Sequence, residues 1–184
     1  ILVDGMGADF LGQQGRESRI GGLQIGTLTS VFPPTTATAI PVFYTGYPPQ
    51  QHGLTGWFTY VRELGSLIAV LPFRPRCGGG SLGQYGVNPL LLTRASPIFP
   101  RLKRRSFVLS PEKIAHSDFN RAFCPGAEIL SYQGLEGFFR NLRMLVNKVR
   151  EPTFIYAYWP DLDLLAHATG ISSPKTLESF RLLD

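Results

Sequence analysis

The chain is short of charge and of cysteine, and it contains no long apolar run. Charged residues make up 17% of its 184 residues, against roughly 25% in an average soluble protein, which excludes a disordered or acidic tail. Two cysteines, Cys77 and Cys124, allow at most one disulfide, and neither sits in a Cys-x-x-Cys or Cys-His spacing. A disulfide-stapled scaffold and a structural zinc knot are therefore excluded, and both residues are expected to be free thiols. No apolar stretch approaches the roughly 18 residues that a membrane-spanning helix needs; the longest candidate, Leu64 to Phe73, is interrupted by Gly65, Ser66 and Pro72. Basic residues exceed acidic ones to give a net charge of +5, and the densest basic run is Arg101-Leu102-Lys103-Arg104-Arg105. A nucleic-acid surface wants a basic stripe interleaved with stacking aromatics, or a known module, and neither accompanies this run. It reads as solvated surface.

What is present is 43% hydrophobic residues with 20 glycines and 15 prolines, enough for one core of a single moderate domain rich in turns. Ile1-Leu2-Val3, closed by Asp4-Gly5-Met6-Gly7, has the pattern of a buried parallel strand ending in a glycine turn. A second extended stretch is expected over Leu23 to Phe32, ending at Pro33-Pro34. The hydroxyl residues of Thr35-Thr36-Ala37-Thr38 then predict a helix start, with Gly46 and Pro48-Pro49 ending that helix. From Trp57 to about Pro111 the chain is turn-rich and reads as an excursion that crosses or caps the sheet, loosest at Arg74 to Ser81. Leu135, Phe138, Phe139, Leu142, Leu145, Val146 and Val149 recur at spacings of three and four, predicting an amphipathic helix over Gln133 to Arg150 that Pro152 ends. Thr153 to Trp159 is a second buried strand, followed by Pro160-Asp161-Leu162-Asp163-Leu164-Leu165-Ala166-His167. Strand, helix and strand in alternation predict an α/β layer fold with a mainly parallel sheet, whose ligands bind beyond the carboxyl ends of the strands.

Three groups stand at such ends or at a helix start: Asp4, Thr35-Thr36, and Asp161/Asp163 with His167. Singly they are ordinary, because Asp-Gly suits a turn, threonine suits a cap, and Asp and His four apart share a helix face without binding anything. Together they pair carboxylates and imidazole, as a zinc site requires, with a hydroxyl at a helix N-terminus, where an anion is favoured. A threonine hydroxyl needs activation to act as a nucleophile, and a divalent metal supplies it. The combination suggests metal-assisted phosphoryl transfer.

The strings Ile1-Leu2-Val3-Asp4-Gly5-Met6-Gly7, Phe32-Pro33-Pro34-Thr35-Thr36-Ala37, Tyr44-Thr45-Gly46-Tyr47-Pro48-Pro49-Gln50-Gln51-His52-Gly53 and Tyr158-Trp159-Pro160-Asp161-Leu162-Asp163 through His167-Ala168-Thr169-Gly170 occur in this order along nearly the whole chain. The set resembles the type I phosphodiesterase/nucleotide pyrophosphatase family of the alkaline phosphatase superfamily. The resemblance implies a three-layer α/β/α sandwich with a mainly parallel central sheet, incomplete at the C-terminus. Residues 1–184 would be the N-terminal part of its catalytic domain, with the excursion at about 57–111. It implies a metal-dependent hydrolase of phosphodiester or pyrophosphate bonds, working through a phosphothreonine intermediate with two zinc ions or other divalent metals. Thr36, ten residues before Gly46, would be the nucleophile and share one zinc with Asp4. Asp163, four before His167, would hold the second zinc with it, while Asp161, off that spacing, caps or orients the loop. His52 is expected to be structural and His116 a loop residue.

The substrate implied is a small phosphodiester or nucleotide, not nucleic acid, and Trp57, Phe58 and Tyr60 are candidates for its leaving-group pocket. The family's later Asp-His pair and final histidine have no counterpart before Asp184 and are expected after it; the chain alone is expected to bind zinc weakly and turn over little. Phe-Pro-Pro precedes the threonine pair where eukaryotic members have Phe-Pro-Asn after the nucleophile, which leaves substrate preference open. The N-terminus reads as cut, so compartment stays open between cytoplasm and periplasm, as does oligomeric state. A phosphate monoesterase or phosphomutase of the same superfamily is an alternative, as is a non-catalytic module that binds a partner through Arg101 to Arg105. Sulfatase chemistry is disfavoured, since neither Cys77-Gly78-Gly79 nor Cys124-Pro125-Gly126 is followed by the arginine of the sulfatase modification motif.

Overall fold

The strand that opens the chain is only two residues long, and it is fixed by a partner more than 150 positions away. In the computed structural model, which describes residues 1–184, the elements in chain order are β1 (Leu2–Val3), α1 (Ala8–Gln14), α2 (Arg19–Gly22), α3 (Thr36–Thr45), α4 (Pro49–His52), β2 (Phe58–Val61), β3 (Ser66–Ala69), β4 (Arg74–Pro75), β5 (Ser106–Pro111), α5 (Glu112–Ala115), α6 (Asp118–Phe123), β6 (Glu128–Tyr132), α7 (Gly134–Lys148), β7 (Phe154–Trp159), α8 (Asp161–Thr169) and α9 (Pro174–Leu183). The class is α/β, with a four-stranded sheet in the order β1-β7-β5-β6 and a three-stranded sheet in the order β2-β3-β4. β1 runs parallel to β7, with Leu2 opposite Tyr158 and Val3 opposite Trp159. β5 runs parallel to β6 from Phe107 opposite Glu128 to Pro111 opposite Tyr132. No helix is long and apolar enough to cross a membrane.

The chain divides into two compact units, residues 1–29 with 156–184, and residues 30–155. The unit formed by the chain ends packs around Phe10, Leu11, Leu162 and Phe180, with Val3, Met6, Ile20 and Leu177 against them. Phe10 meets Phe180 edge to face, with ring centroids 5.3 Å apart, the arrangement that ring quadrupoles favour. Helix α9 enters this core because Pro174 pre-sets its first turn, the Ser173 hydroxyl accepts the Thr176 N–H, and Leu177 and Phe180 fall on one face three apart. The Asp184 carboxylate accepts the N–H groups of Arg19 and Ile20 at the start of α2, which holds it below the ordinary carboxylate range.

In the middle unit, Phe107, Val108 and Leu109 of β5 are all buried, as expected of a parallel strand covered on both faces. α7 packs on β5 and β6. α3 starts after Thr35 in an extended conformation and stops at Gly46, whose left-handed φ of 73° lets its N–H close onto the Val42 carbonyl. Tyr44 on its buried face lies against Phe99 and Phe119, and Phe119 stacks on Phe123 at 4.2 Å.

Three expectations need correction. Leu23 to Phe32 forms no strand; Leu23, Ile25, Leu28 and Phe32 stand exposed, so the segment gains none of the apolar burial that would hold it in a sheet. The last six residues of the turn-rich stretch, Ser106–Pro111, are strand β5 of the parallel sheet rather than loop. The rest of that stretch holds the β2-β3-β4 antiparallel sheet and short 3₁₀ turns at Leu82–Tyr85 and Pro89–Leu92. Helix α7 matches its predicted range to within two residues at its C-terminus, but Val146 is 61% exposed; the helix buries Phe138 and Leu145, a narrower stripe than the spacing marked out.

Candidate functional site

Asp4 follows β1 directly, and its N–H carries the parallel ladder one residue further by donating to the Trp159 carbonyl at 2.9 Å. Both carboxylate oxygens accept hydrogen bonds: Oδ1 from the Gly5 N–H at 3.1 Å and Oδ2 from the Tyr158 hydroxyl at 2.6 Å. Tyr158 is buried in β7. Burial first, and then the bond to Asp4 and its negative charge, push the phenol well above its ordinary value, so that it stays a donor.

Gly5 turns the chain at φ +75°, and a side chain there would bring its Cβ within 2.8 Å of the Asp163 Cα. Only glycine permits both the left-handed backbone and this approach of the post-β1 loop to α8. Asp161 and Asp163 occupy the first turn of α8, where the helix dipole favours negative charge. His167 stands one turn on, with Nε2 3.5 Å from Oδ2 of Asp163. Its side chain is 82% exposed against 31% for Asp163. The Asp163 carboxyl is held above its ordinary value, by burial first and then by the charge of Asp4, with His167 acting in the opposite direction. Two carboxylates thus share one field, a situation that a bound cation relieves.

These side chains are the donor types a divalent metal takes, and the carboxylate and imidazole of Asp163 and His167 fit such an ion in spacing. No group of three or more His, Cys, Asp or Glu side chains is arranged to hold a metal on its own, so any one ion would find at most two of these donors in place.

Thr36 belongs to the middle unit, where it is the first helical residue of α3 and half-buried. Thr35 holds the N-cap position, its carbonyl accepting the Thr38 and Ala39 N–H groups at 2.9 Å. The start of this ten-residue helix is the positive end of its dipole, which suits an anion. His52 is buried at the end of α4, and its Nδ1 accepts the Leu54 N–H at 3.0 Å, a packing position. Burial lowers its pKa, against a smaller raising effect of the Thr38 backbone. His116 is exposed at the C-cap of α5. Cys77 is an exposed free thiol and Cys124 a buried one.

Two cations of the basic run have partners within their own unit. Arg101 donates to the Thr45 carbonyl at the end of α3 and lies over Tyr47 at 5.1 Å. Arg105 pairs with Glu128 at 3.0 Å and lies over Phe107 at 4.8 Å. Trp57, Phe58 and Tyr60 are exposed, with Arg76 over the Phe58 ring at 4.6 Å. Sequence reasoning misses Tyr158 as the partner of Asp4, and no local signal could show it, because the bond depends on the parallel register of β1 and β7.

Across its full length, residues 1–184, the chain matches the family model described as type I phosphodiesterase / nucleotide pyrophosphatase. Among solved structures it is similar to murine ectonucleotide pyrophosphatase/phosphodiesterase 5, at 19% identity and a TM-score of 0.54, covering 82% of this chain and 38% of that one. An inactive form of the same murine protein in complex with AMP aligns at 18% identity and a TM-score of 0.54, over 82% and 38% of the two chains. Phosphonoacetate hydrolase from Sinorhizobium meliloti 1021, in complex with phosphonoacetate, aligns at 16% identity and 0.52, over 84% and 41%. The chain therefore spans about two fifths of the length of the structures it matches. At these identities the likeness shows the fold, which is alkaline phosphatase-like. No curated protein matches significantly.

Proposed function

The chain belongs to the type I phosphodiesterase/nucleotide pyrophosphatase family, and from that membership we propose that the protein is a metal-dependent hydrolase of small phosphodiesters or nucleotide pyrophosphates, acting through a phosphothreonine at Thr36. The observation that carries the reading is the Asp163 carboxylate with the exposed His167 imidazole 3.5 Å away, on the helix against which the Gly5 turn after Asp4 packs. The family is generally metal-dependent, and the paired carboxylate and imidazole of Asp163 and His167 are donors that zinc accepts. Asp4 would hold one ion, and Asp163 with His167 a second. Bound there, such ions supply Lewis acidity that favours an ionised hydroxyl and neutralises charge gathering on phosphoryl oxygens.

The chain's own residues then have distinct tasks. Thr36 Oγ1 forms a bond to phosphorus as the bond from phosphorus to the leaving alcohol or phosphate oxygen breaks, and the threonine proton leaves with that group or with water. A water molecule next attacks the phosphothreonine, the bond between Thr36 oxygen and phosphorus breaks, and the hydroxyl is restored. The N-terminal turn of α3 offers N–H groups to phosphoryl oxygens through both steps. Asp161 stays in the first turn of α8 as a charge on the helix dipole, outside the ligand set. The alternative reading, a binding module that meets a partner through Arg101 to Arg105, would rest chiefly on Lys103 and Arg104, since Arg101 and Arg105 have partners within the chain.

The test is turnover of the full-length protein on bis-p-nitrophenyl phosphate against p-nitrophenyl phosphate, before and after chelation and re-addition of Zn²⁺. Faster diester cleavage that chelation abolishes and zinc restores is expected. Faster monoester cleavage would overturn the diesterase assignment in favour of a monoesterase or phosphomutase.

A further inference from the structure

Asp4 is gripped from two sides by donors of different origin. The Gly5 N–H at 3.1 Å comes from the turn itself. The Tyr158 hydroxyl at 2.6 Å comes from a neighbouring strand, placed by the register that sets Tyr158 opposite Leu2, two residues before Asp4. A phenol donating to a carboxylate at that length is a charge-assisted bond, stronger than a neutral one. Tyr158 is only 7% exposed, which keeps the hydroxyl from swinging to solvent and denies bulk water easy access to its place. The terminal torsion of an aspartate is otherwise broad, and a lone turn N–H would restrain only one oxygen.

We propose that Tyr158 is a positioning residue that locks the Asp4 carboxylate in the orientation in which it takes a divalent cation. The inference rests on the reading of Asp4 as a metal ligand given above. Hydrogen bonds to a ligand's far side typically set metal affinity by about ten- to a hundredfold, and Tyr158→Phe removes this one while keeping the ring in its buried place.

The experiment is titration of the full-length apoprotein with Zn²⁺ in competition with a chromophoric chelator, for wild type, Tyr158→Phe, Asp4→Ala and Phe180→Leu, each with its thermal midpoint. Phe180→Leu thins the core of the same unit and controls for simple loss of stability. Tyr158→Phe is expected to weaken zinc binding about tenfold or more, with Phe180→Leu binding as wild type does. Wild-type affinity in Tyr158→Phe, alongside weakened binding in Asp4→Ala, would overturn the positioning role and leave Asp4 as a ligand. Unchanged binding in Asp4→Ala would overturn the ligand assignment and the positioning role with it. Should Tyr158→Phe not fold, 3-fluorotyrosine at position 158 reports instead: its ¹⁹F resonance is expected to move on zinc addition, and a resonance that stays put while zinc binds would refute the proposal.

Discussion

The backbone of Asp163 occupies the space that a side chain on Gly5 would need, with a Cβ at Gly5 falling 2.8 Å from the Asp163 Cα. That contact joins the loop carrying Asp4 to the helix carrying Asp163 and His167, and it makes glycine obligatory for two separate reasons, space and a φ of +75°.

Gly5→Ala should therefore cost stability and shift Asp163 together. A left-handed non-glycine residue alone costs about 1–2 kcal/mol, and the overlap adds to that. A Cβ added at Gly7 would meet nothing within 4 Å, so Gly7→Ala is the matched control. Thermal melts of the two variants check this; equal midpoints would show that the Gly5 approach carries no strain.

Buried His52 gives the protein an acid-labile element. Its folded pKa lies below the ordinary value, chiefly through burial, so between that lowered value and about 6.5 the unfolded chain binds more protons. The stability His52 contributes is fully present above about pH 6.5 and is lost as pH falls toward the lowered folded value. His52→Asn keeps an acceptor for the Leu54 N–H and removes the titration. Denaturant midpoints measured from about pH 7.5 down to about 5 should fall less steeply in this variant than in wild type.

The two thiols should differ sharply in reactivity. Burial pushes Cys124 up to about 12, and the thiolate is the reactive form, whereas Cys77 is exposed. Iodoacetamide under native conditions should add one label per chain, at Cys77, and a second only in denaturant. Mass spectrometry that finds Cys124 labelled at the native rate of Cys77 would contradict the burial of that thiol.

Arg101 is expected to stabilise rather than to recruit. Its guanidinium caps the α3 carbonyl of Thr45 and covers Tyr47, and hydrogen bonds from charged groups contribute about 1.5–3 kcal/mol before solvent exposure reduces them. Arg101→Met should lower the thermal midpoint and leave the salt dependence of any polyanion binding unchanged. A changed salt slope at constant stability would restore the binding-surface reading of the basic run.

Much of the terminal and helical framework is legible in the sequence because its signals are local. Ile1-Leu2-Val3 closed by Asp-Gly, the hydroxyls after Pro33-Pro34, and the three-and-four spacing of Phe138 and Leu145 each report on neighbours within one turn or one strand. Asp163 and His167, four apart in sequence, lie one turn apart on α8, 3.5 Å from each other. Leu23 to Phe32 misleads because membership of a sheet depends on pairing and burial against distant parts of the chain, which no stretch of eight or ten residues can announce. β5 is hidden for the converse reason: its apolar core, Phe107-Val108-Leu109, is short and lies between a basic run and Pro111. The Tyr158 bond to Asp4 requires the register of two strands separated by most of the chain.

The central claim, that Thr36 is transiently phosphorylated, is met most directly by acid-quenching the full-length protein during turnover of a nucleotide diester and mapping the modified peptide by mass spectrometry. A phosphoryl-type adduct is expected on Thr36, absent from Thr36→Ala, which should keep zinc while losing turnover. Full turnover in Thr36→Ala, or an adduct on Thr35 in its place, would contradict it.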